Sequence, residues 1–262
     1  MEVVWDLVIS ILLPGFVVSF GTGMILLRWK WAGPALLLGL LAANVLSTSL
    51  PWFDWDQELG RVCLALVLSL ATMFLGCDKW WKLGLGVVWV GVLAGVLCYH
   101  ENIEISHRWA VIAASIAFYC LVSFGELRLS GKILLALLIA TGLATSLVML
   151  HAHTARLSDV GMMWMVSSAG LLLAAFFIKT ETRGLAGPTA VLFPFLLYYG
   201  KLSTYSEVPI WSFVLVVTAP LACCLCLLSK NRMCTVMVSA VWLLCLVTAV
   251  ALAMRYETII AG

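Results

Sequence analysis

Long apolar blocks, separated by short charged connections, are the feature that most constrains the fold of this chain. The blocks run for about 17–25 residues, the length that crosses the hydrocarbon core of a bilayer as an α-helix. Of the 262 residues, 64% are hydrophobic and only 11% are charged, whereas a soluble globular domain carries about 25% charged residues. The sequence therefore predicts an all-α, polytopic integral membrane protein.

The charged connections divide the chain into ten candidate spans, which we expect to form five hairpins. No connection is long enough to fold as a soluble domain, so residues 1–262 are expected to form a single transmembrane helical domain. The expected spans are 3–27, 31–53, 59–77, 83–100, 109–125, 133–151, 161–178, 184–200, 208–229 and 233–254.

Basic and acidic residues are distributed unevenly between alternate connections. The odd-numbered connections hold ten basic and three acidic residues, while the even-numbered connections and the termini hold five basic and ten acidic residues. Connections rich in Lys and Arg remain in the cytoplasm. The distribution predicts that both termini lie on the outer face of a plasma membrane, the inner membrane in a bacterium. The basic residues are too dispersed to indicate a nucleic-acid partner.

The tripeptide Ala-Gly-Pro occurs twice, each time just after a basic connection. It occupies Ala32-Gly33-Pro34 and Ala186-Gly187-Pro188. Proline suits the first turn of a helix, where its missing N–H has no intrahelical acceptor. We interpret the tripeptide as a helix start used twice; a true internal duplication is the alternative.

Ionisable residues fall almost entirely at the ends of the blocks, but several polar residues lie within them. Such groups commonly form hydrogen bonds between neighbouring membrane helices. The alternative is a weakly polar path for a small neutral solute, with Asn44 as the first residue to test. The candidate path residues are Asn44, Ser47, Thr48, Thr141, Thr145, Ser167 and Ser168.

Prolines interrupt three of the apolar blocks. Pro14 and Gly15 lie in the first block, Pro194 in the eighth and Pro220 in the ninth. Proline removes a backbone hydrogen bond and kinks a helix, and broken helices often frame substrate sites in transporters. Ordinary membrane helices also contain prolines. We treat these four residues as candidate hinges.

All four histidines are expected on the acidic outer side. Imidazole and carboxylate groups together suit Zn²⁺, Cu²⁺ or Ni²⁺, although the spacing of His100, His107, His151 and His153 matches no recognised ligand pattern. Cys63 and Cys98 are expected at a similar outer depth, where a disulfide is permitted if their Cα atoms lie within about 7 Å. Free thiols are the alternative.

One outer connection bears a short resemblance to a known family. Residues 51–56, Pro-Trp-Phe-Asp-Trp-Asp, resemble the tryptophan-rich outer loop of haem-handling proteins of cytochrome c maturation. The resemblance covers six residues, and the flanking histidines of that family are missing. It implies haem binding on the outer face as a minor alternative to metal binding.

The sequence favours a non-enzymatic membrane protein, since no serine or cysteine has a base at a spacing typical of nucleophilic catalysis. The first hypothesis is a small permease for a neutral or weakly polar solute. The second is a non-catalytic structural or anchoring subunit of a larger membrane complex, with other membrane subunits as partners beside the lipid bilayer. No cofactor is required by either hypothesis.

Overall fold

The computed structural model describes residues 12–29, 31–48, 58–72, 80–100, 104–178, 183–203, 208–227 and 232–261. Within these ranges 93% of the residues are helical, and the only β-type pairing is an isolated bridge between Trp31 and Arg183. The all-α class is confirmed.

Ten α-helices occupy the described ranges, one in each expected apolar block. They are α1 (Leu13–Leu26), α2 (Ala32–Thr48), α3 (Glu58–Ser69), α4 (Trp80–His100), α5 (Ile105–Arg128), α6 (Gly131–His151), α7 (Ala155–Phe177), α8 (Ala186–Ser203), α9 (Ile210–Thr218) and α10 (Arg232–Ala261). A three-residue 3-10 helix follows α1 (Leu27–Trp29), and a nine-residue one follows α9 (Ala219–Leu227).

Five of the described helices are long and apolar enough to cross a membrane. The apolar stretches are Trp81–Tyr99, His107–Arg128, Gly131–His151, Leu157–Phe177 and Met233–Tyr256. Three shorter apolar helices are Leu13–Leu26, Ala32–Ala43 and Ile210–Leu225. The protein is therefore a membrane protein by the length and composition of its helices, whereas ten membrane crossings and the orientation of the termini stay predictions.

The faces of α4 and α10 that point away from the bundle show why these helices suit a lipid environment. On α4, Leu85, Val88 and Val92 are about half exposed or more, at the spacing of one helical face. On α10, Val236, Leu244 and Val247 are each more than 60% exposed. Aliphatic side chains on an outward face are stable against lipid tails and would be unfavourable in water.

Two helices lie at the centre of the bundle. Helix α7 packs against α6, α1 and α2, and α8 packs against α5, α3 and α4. Every residue of α8 from 186 to 197 is buried. A helix so enclosed by neighbouring helices is shielded from lipid, which explains how α8 accommodates its prolines, glycines and tyrosines.

Small residues allow the central helices to approach closely. A Cβ on Gly161 of α7 would lie 2.9 Å from the backbone nitrogen of Ser146 on α6. A Cβ on Gly170 would collide with the Phe16 carbonyl of α1, and a Cβ on Gly23 would lie 2.9 Å from the Ala174 Cβ. Such contacts are typical of membrane helices, whose association depends on close backbone packing.

The two Ala-Gly-Pro segments both begin helices, as predicted, because α2 starts at Ala32 and α8 at Ala186. The structure also brings these helix starts together: the backbone N–H groups of Ala32 and Gly33 donate to the Arg183 carbonyl at 3.2 and 3.3 Å. Gly184 has a φ of 86°, a left-handed conformation that favours glycine. The chain turns there directly into α8.

Candidate functional site

Hydroxyl groups on α6 and α7 form the polar interior of the central bundle. Thr141 on α6 is fully buried; its hydroxyl donates to the Leu137 carbonyl at 2.8 Å and accepts from Trp242 Nε1 at 3.0 Å. Thr145 donates to the Thr141 carbonyl at 2.8 Å. Of these two predicted path residues, Thr141 therefore links α6 to α10, while the hydroxyl of Thr145 is bonded within its own helix.

A second pair of hydroxyls links α6 to α7. Ser158 Oγ donates to the Ser146 carbonyl at 2.9 Å, and the two hydroxyl oxygens are 2.9 Å apart. These bonds lie beside the close contact between Gly142 and Gly161. The pair therefore has the interhelical role that the sequence suggested for polar residues within the blocks.

Ser167 and Ser168 differ from these hydroxyls. Both side chains are fully buried on α7, and neither hydroxyl has a hydrogen-bond partner in the described structure. A serine in a helix can bond the carbonyl four residues earlier, as Thr141 and Thr145 do. Neither serine hydroxyl makes this bond.

Ser167 faces the start of α1. A Cβ placed on Gly15 would lie 3.3 Å from Ser167 Oγ and 3.1 Å from the Ala43 Cβ of α2. We call Gly15, Ala43 and Ser167 the α1–α2–α7 junction. The junction brings a predicted hinge residue next to a predicted path residue.

Three other predicted path residues lie at the end of α2. The backbone of Asn44, Ser47 and Thr48 belongs to α2, but their side chains lie outside the described part of the structure. Asn44 directly follows Ala43, so its Cα is about 3.8 Å from that of a junction residue. The backbone therefore places Asn44 beside the junction.

The predicted hinges occupy three different backbone settings. Pro14 lies in the first turn of α1 as described, which begins at Leu13, while residues 1–11 are outside the described ranges. Pro194 lies inside α8, which continues through it. At Pro220 the backbone changes type, since α9 ends at Thr218 and a nine-residue 3-10 helix begins at Ala219. A 3-10 stretch of that length is uncommon and often marks a hinge.

The four histidines that the sequence predicts on the outer side are only partly described. His107 is exposed, and its ring makes an edge contact with Tyr198 at a centroid distance of 5.6 Å. His151 ends α6, and His153 follows with a φ of 57°. The side chain of His100 and residues 51–56 lie outside the described ranges. Among described residues, no group of three His, Cys, Asp or Glu side chains is placed to hold a metal ion. Cys98 is a buried free thiol.

Glu126 has a structural role that the sequence did not reveal. This half-buried carboxylate accepts from the backbone N–H groups of Leu185 at 2.7 Å and Ala186 at 3.1 Å. It thereby satisfies backbone donors at the start of α8, where a negative charge is favourable. Its position at the end of α5, 59 residues from Leu185, gave no sequence signal of this contact.

Trp164 is a second residue that sequence reasoning missed. It is fully buried in the middle of α7, and its Nε1 has no hydrogen-bond partner in the described structure. Membrane tryptophans are enriched at the two interfaces. The position of Trp164 in the middle of an apolar block, away from either interface, was therefore the sequence signal that could have identified it.

Comparison with known proteins does not assign a family. No protein-family model matches this chain, and no curated protein matches it. The geometry of the bundle is therefore the basis for a functional proposal.

Proposed function

We propose that the protein is a permease for a small neutral or weakly polar solute. The observation that carries the proposal is the pair of fully buried hydroxyls, Ser167 and Ser168, that have no partner in the described structure. A buried polar group left unsatisfied costs about 1–3 kcal/mol. Such a group in a native protein calls for a partner outside the described structure, and water or a solute is one that suits a buried hydroxyl.

The neighbouring hydroxyls support this proposal. Thr141, Thr145 and Thr189 are equally buried, and each donates to a carbonyl of its own helix. Ser167 and Ser168 could form the same bond to a carbonyl of α7. Because they do not form it, their hydroxyls remain available to bind a passing polar group.

The position of Ser167 supports transport in particular. It lies at the α1–α2–α7 junction against Gly15, which follows Pro14 in the chain. Asn44 follows the junction residue Ala43 directly in α2. Substrate sites of transporters often lie at discontinuous helices, and Pro14 and Gly15 are the predicted hinge of α1.

The chemistry around the serines favours a neutral solute and no catalysis. Residues 160–172 of α7 include no Asp, Glu, Lys, Arg or His, so a charged solute would find no counter-ion on this stretch of the helix; the charged residues of α7, Arg156 and Asp159, lie in its first two turns. A serine nucleophile needs a base within hydrogen-bond reach. In the described structure neither serine hydroxyl has such a partner.

The test is osmotic. Proteoliposomes are mixed with excess urea, glycerol or acetamide, and re-swelling is followed by stopped-flow light scattering. We expect at least one of these solutes to enter faster than into empty liposomes. The gain should fall in Asn44→Leu and in the double variant Ser167→Ala/Ser168→Ala.

Ser239→Ala is the matched control, because Ser239 on α10 bonds the Thr235 carbonyl of its own helix at 3.0 Å. It should keep wild-type entry rates. Entry no faster than into empty liposomes for all three solutes would refute the permease. Other membrane chains co-purifying with the protein would then favour a subunit of a membrane complex.

A further inference from the structure

The indole N–H of Trp164 is a buried donor with no acceptor among the described residues. Tryptophan can only donate at Nε1, so whatever satisfies this group must supply an acceptor. Two other tryptophans show the usual outcome: Trp89 Nε1 donates to the Leu68 carbonyl at 2.9 Å, and Trp242 Nε1 donates to Thr141 Oγ at 3.0 Å. Trp164 is fully buried and lacks such a bond within the described structure.

Aromatic rings from three helices meet at Trp164. Its ring lies edge-on to Phe193 of α8 at a centroid distance of 5.3 Å, and Phe193 lies 5.9 Å from Phe118 of α5. The pyrrole side of the indole faces α6, since a Cβ on Gly142 would lie 3.1 Å from Trp164 Cδ1. We call Phe118, Trp164 and Phe193 the aromatic centre.

Two further unpartnered hydroxyls lie one helical turn from this centre. Ser168 is four residues after Trp164, and Ser115 is three residues before Phe118, so each shares a helix face with a ring. Both are buried, and neither hydroxyl has a described partner. The three apolar rings of the aromatic centre therefore lie with one obligate donor, and two hydroxyls lie one helical turn away.

Helix α8 lacks one backbone hydrogen bond beside Phe193. Pro194 directly follows Phe193 and has no N–H to donate to the Ala190 carbonyl one turn earlier. Residues 111–122, 160–172 and 189–197, which carry all these groups, include no Asp, Glu, Lys or Arg. A ligand that suits these buried groups is uncharged, accepts a hydrogen bond and has an apolar part.

We propose that the aromatic centre binds a small uncharged amide, whose carbonyl oxygen accepts from Trp164 Nε1 and whose apolar part packs on Phe118 and Phe193. The amide N–H can donate a hydrogen bond to the Ala190 carbonyl or to one of the two serine hydroxyls. This inference rests on the proposed permease function, because it names the class of solute for the polar interior of the same helix.

The test uses benzamide as the probe and toluene as its apolar counterpart. The full-length protein in detergent is labelled with ¹⁵N at the tryptophan indoles, and Trp164→Phe identifies the Trp164 resonance by its loss. Benzamide should shift this indole proton resonance downfield in a saturable manner, whereas toluene should not. In equilibrium dialysis, Trp164→Phe should lower benzamide affinity about tenfold, as expected for one lost hydrogen bond.

Trp242→Phe is the matched control, because the same change removes an N–H that already has a protein partner. It should leave benzamide affinity unchanged. If Trp164→Phe does not fold, the double variant Ser115→Ala/Ser168→Ala replaces it and should also weaken binding. An unmoved Trp164 resonance, or unchanged affinity in the variant that folds, overturns the inference.

The outcomes separate this inference from the proposed function. Faster solute entry with an unmoved Trp164 resonance would leave the permease and remove the amide site. A saturable shift without solute entry in the osmotic assay would leave the binding site and remove the permease.

Discussion

At the residue scale, the buried hydroxyls of the bundle fall into two groups. One group, including Thr141, Thr145 and Ser158, bonds to helix carbonyls or to neighbouring helices. The other group, which includes Ser115, Ser167, Ser168 and Ser212, has no described partner. The first group stabilises the bundle, and Ser167 and Ser168 of the second group are where we place the solute.

Thr141→Val tests the stabilising group. The substitution keeps the shape of the side chain but leaves the buried N–H of Trp242 without its acceptor. We expect the free energy of unfolding to fall by about 1–2 kcal/mol, measured by denaturation in mild detergent. Thr145→Val is the control, since its hydroxyl bonds only the Thr141 carbonyl of the same helix. Equal losses in both variants would contradict an interhelical role for Thr141.

At the element scale, the start of α8 joins several helices. The backbone N–H groups at its start donate to Glu126 of α5. The carbonyl of Arg183, just before α8, accepts from the start of α2. A Cβ on Gly187 would lie 2.7 Å from the Ser69 carbonyl of α3. Helix α8 is thus held by α5, α2 and α3 at this end. The central position of α8 depends on contacts between helices distant in sequence.

Glu126→Ala should destabilise this arrangement. It removes the acceptor from the Leu185 and Ala186 N–H groups, and we expect a loss of about 1–2 kcal/mol in the free energy of unfolding. Glu126→Gln keeps an acceptor but no charge and should lose less. Glu104→Gln is the control, because Glu104 precedes α5 and is exposed, with no side-chain capping bond. Denaturation that is unaffected by Glu126→Ala would contradict the capping role.

The contact between α1 and α7 can be tested at its closest point. Gly170→Ala places a methyl group against the Phe16 carbonyl, and overpacking of this kind costs about 1–3 kcal/mol. Gly21→Ala is the matched change on α1, where a Cβ meets nothing within 4 Å. It should leave the melting temperature unchanged or raise it, since alanine favours helix over glycine. A similar melting temperature for the two variants would mean that α1 and α7 are not in close contact.

At the scale of the whole molecule, two sets of described hairpin connections can be placed. Trp31 pairs with Arg183, and Glu126 bonds Leu185, so the first, fifth and seventh connections meet at one end. A Cβ on Gly200, near the end of α8, would meet the side chain of Met149, near the end of α6. The helix ends that lead into the sixth and eighth connections therefore also lie together. Which end faces the cytoplasm is a prediction from charge alone.

Reporter fusions test that orientation. Alkaline phosphatase folds into active enzyme only outside the cytoplasm, so a fusion after Gly262 should be active. A fusion to a chain truncated after Ser130, in a basic connection, should be inactive. A green fluorescent protein at the same two positions should give the opposite pattern. An active fusion at Ser130 together with an inactive one at Gly262 would reverse the predicted orientation.

The sequence by itself determined the all-helical membrane class and the approximate position of each helix, including the starts at Ala32 and Ala186. Those properties follow from hydropathy, length and helix-start residues, which are local to one segment. Only the tertiary structure decided which polar groups are satisfied. The partner of Trp242 lies 101 residues away on α6, and the partner of Glu126 lies 59 residues away. Whether Ser167 or Trp164 finds a hydrogen bond depends on side-chain orientation and neighbouring helices, which apolar periodicity does not encode.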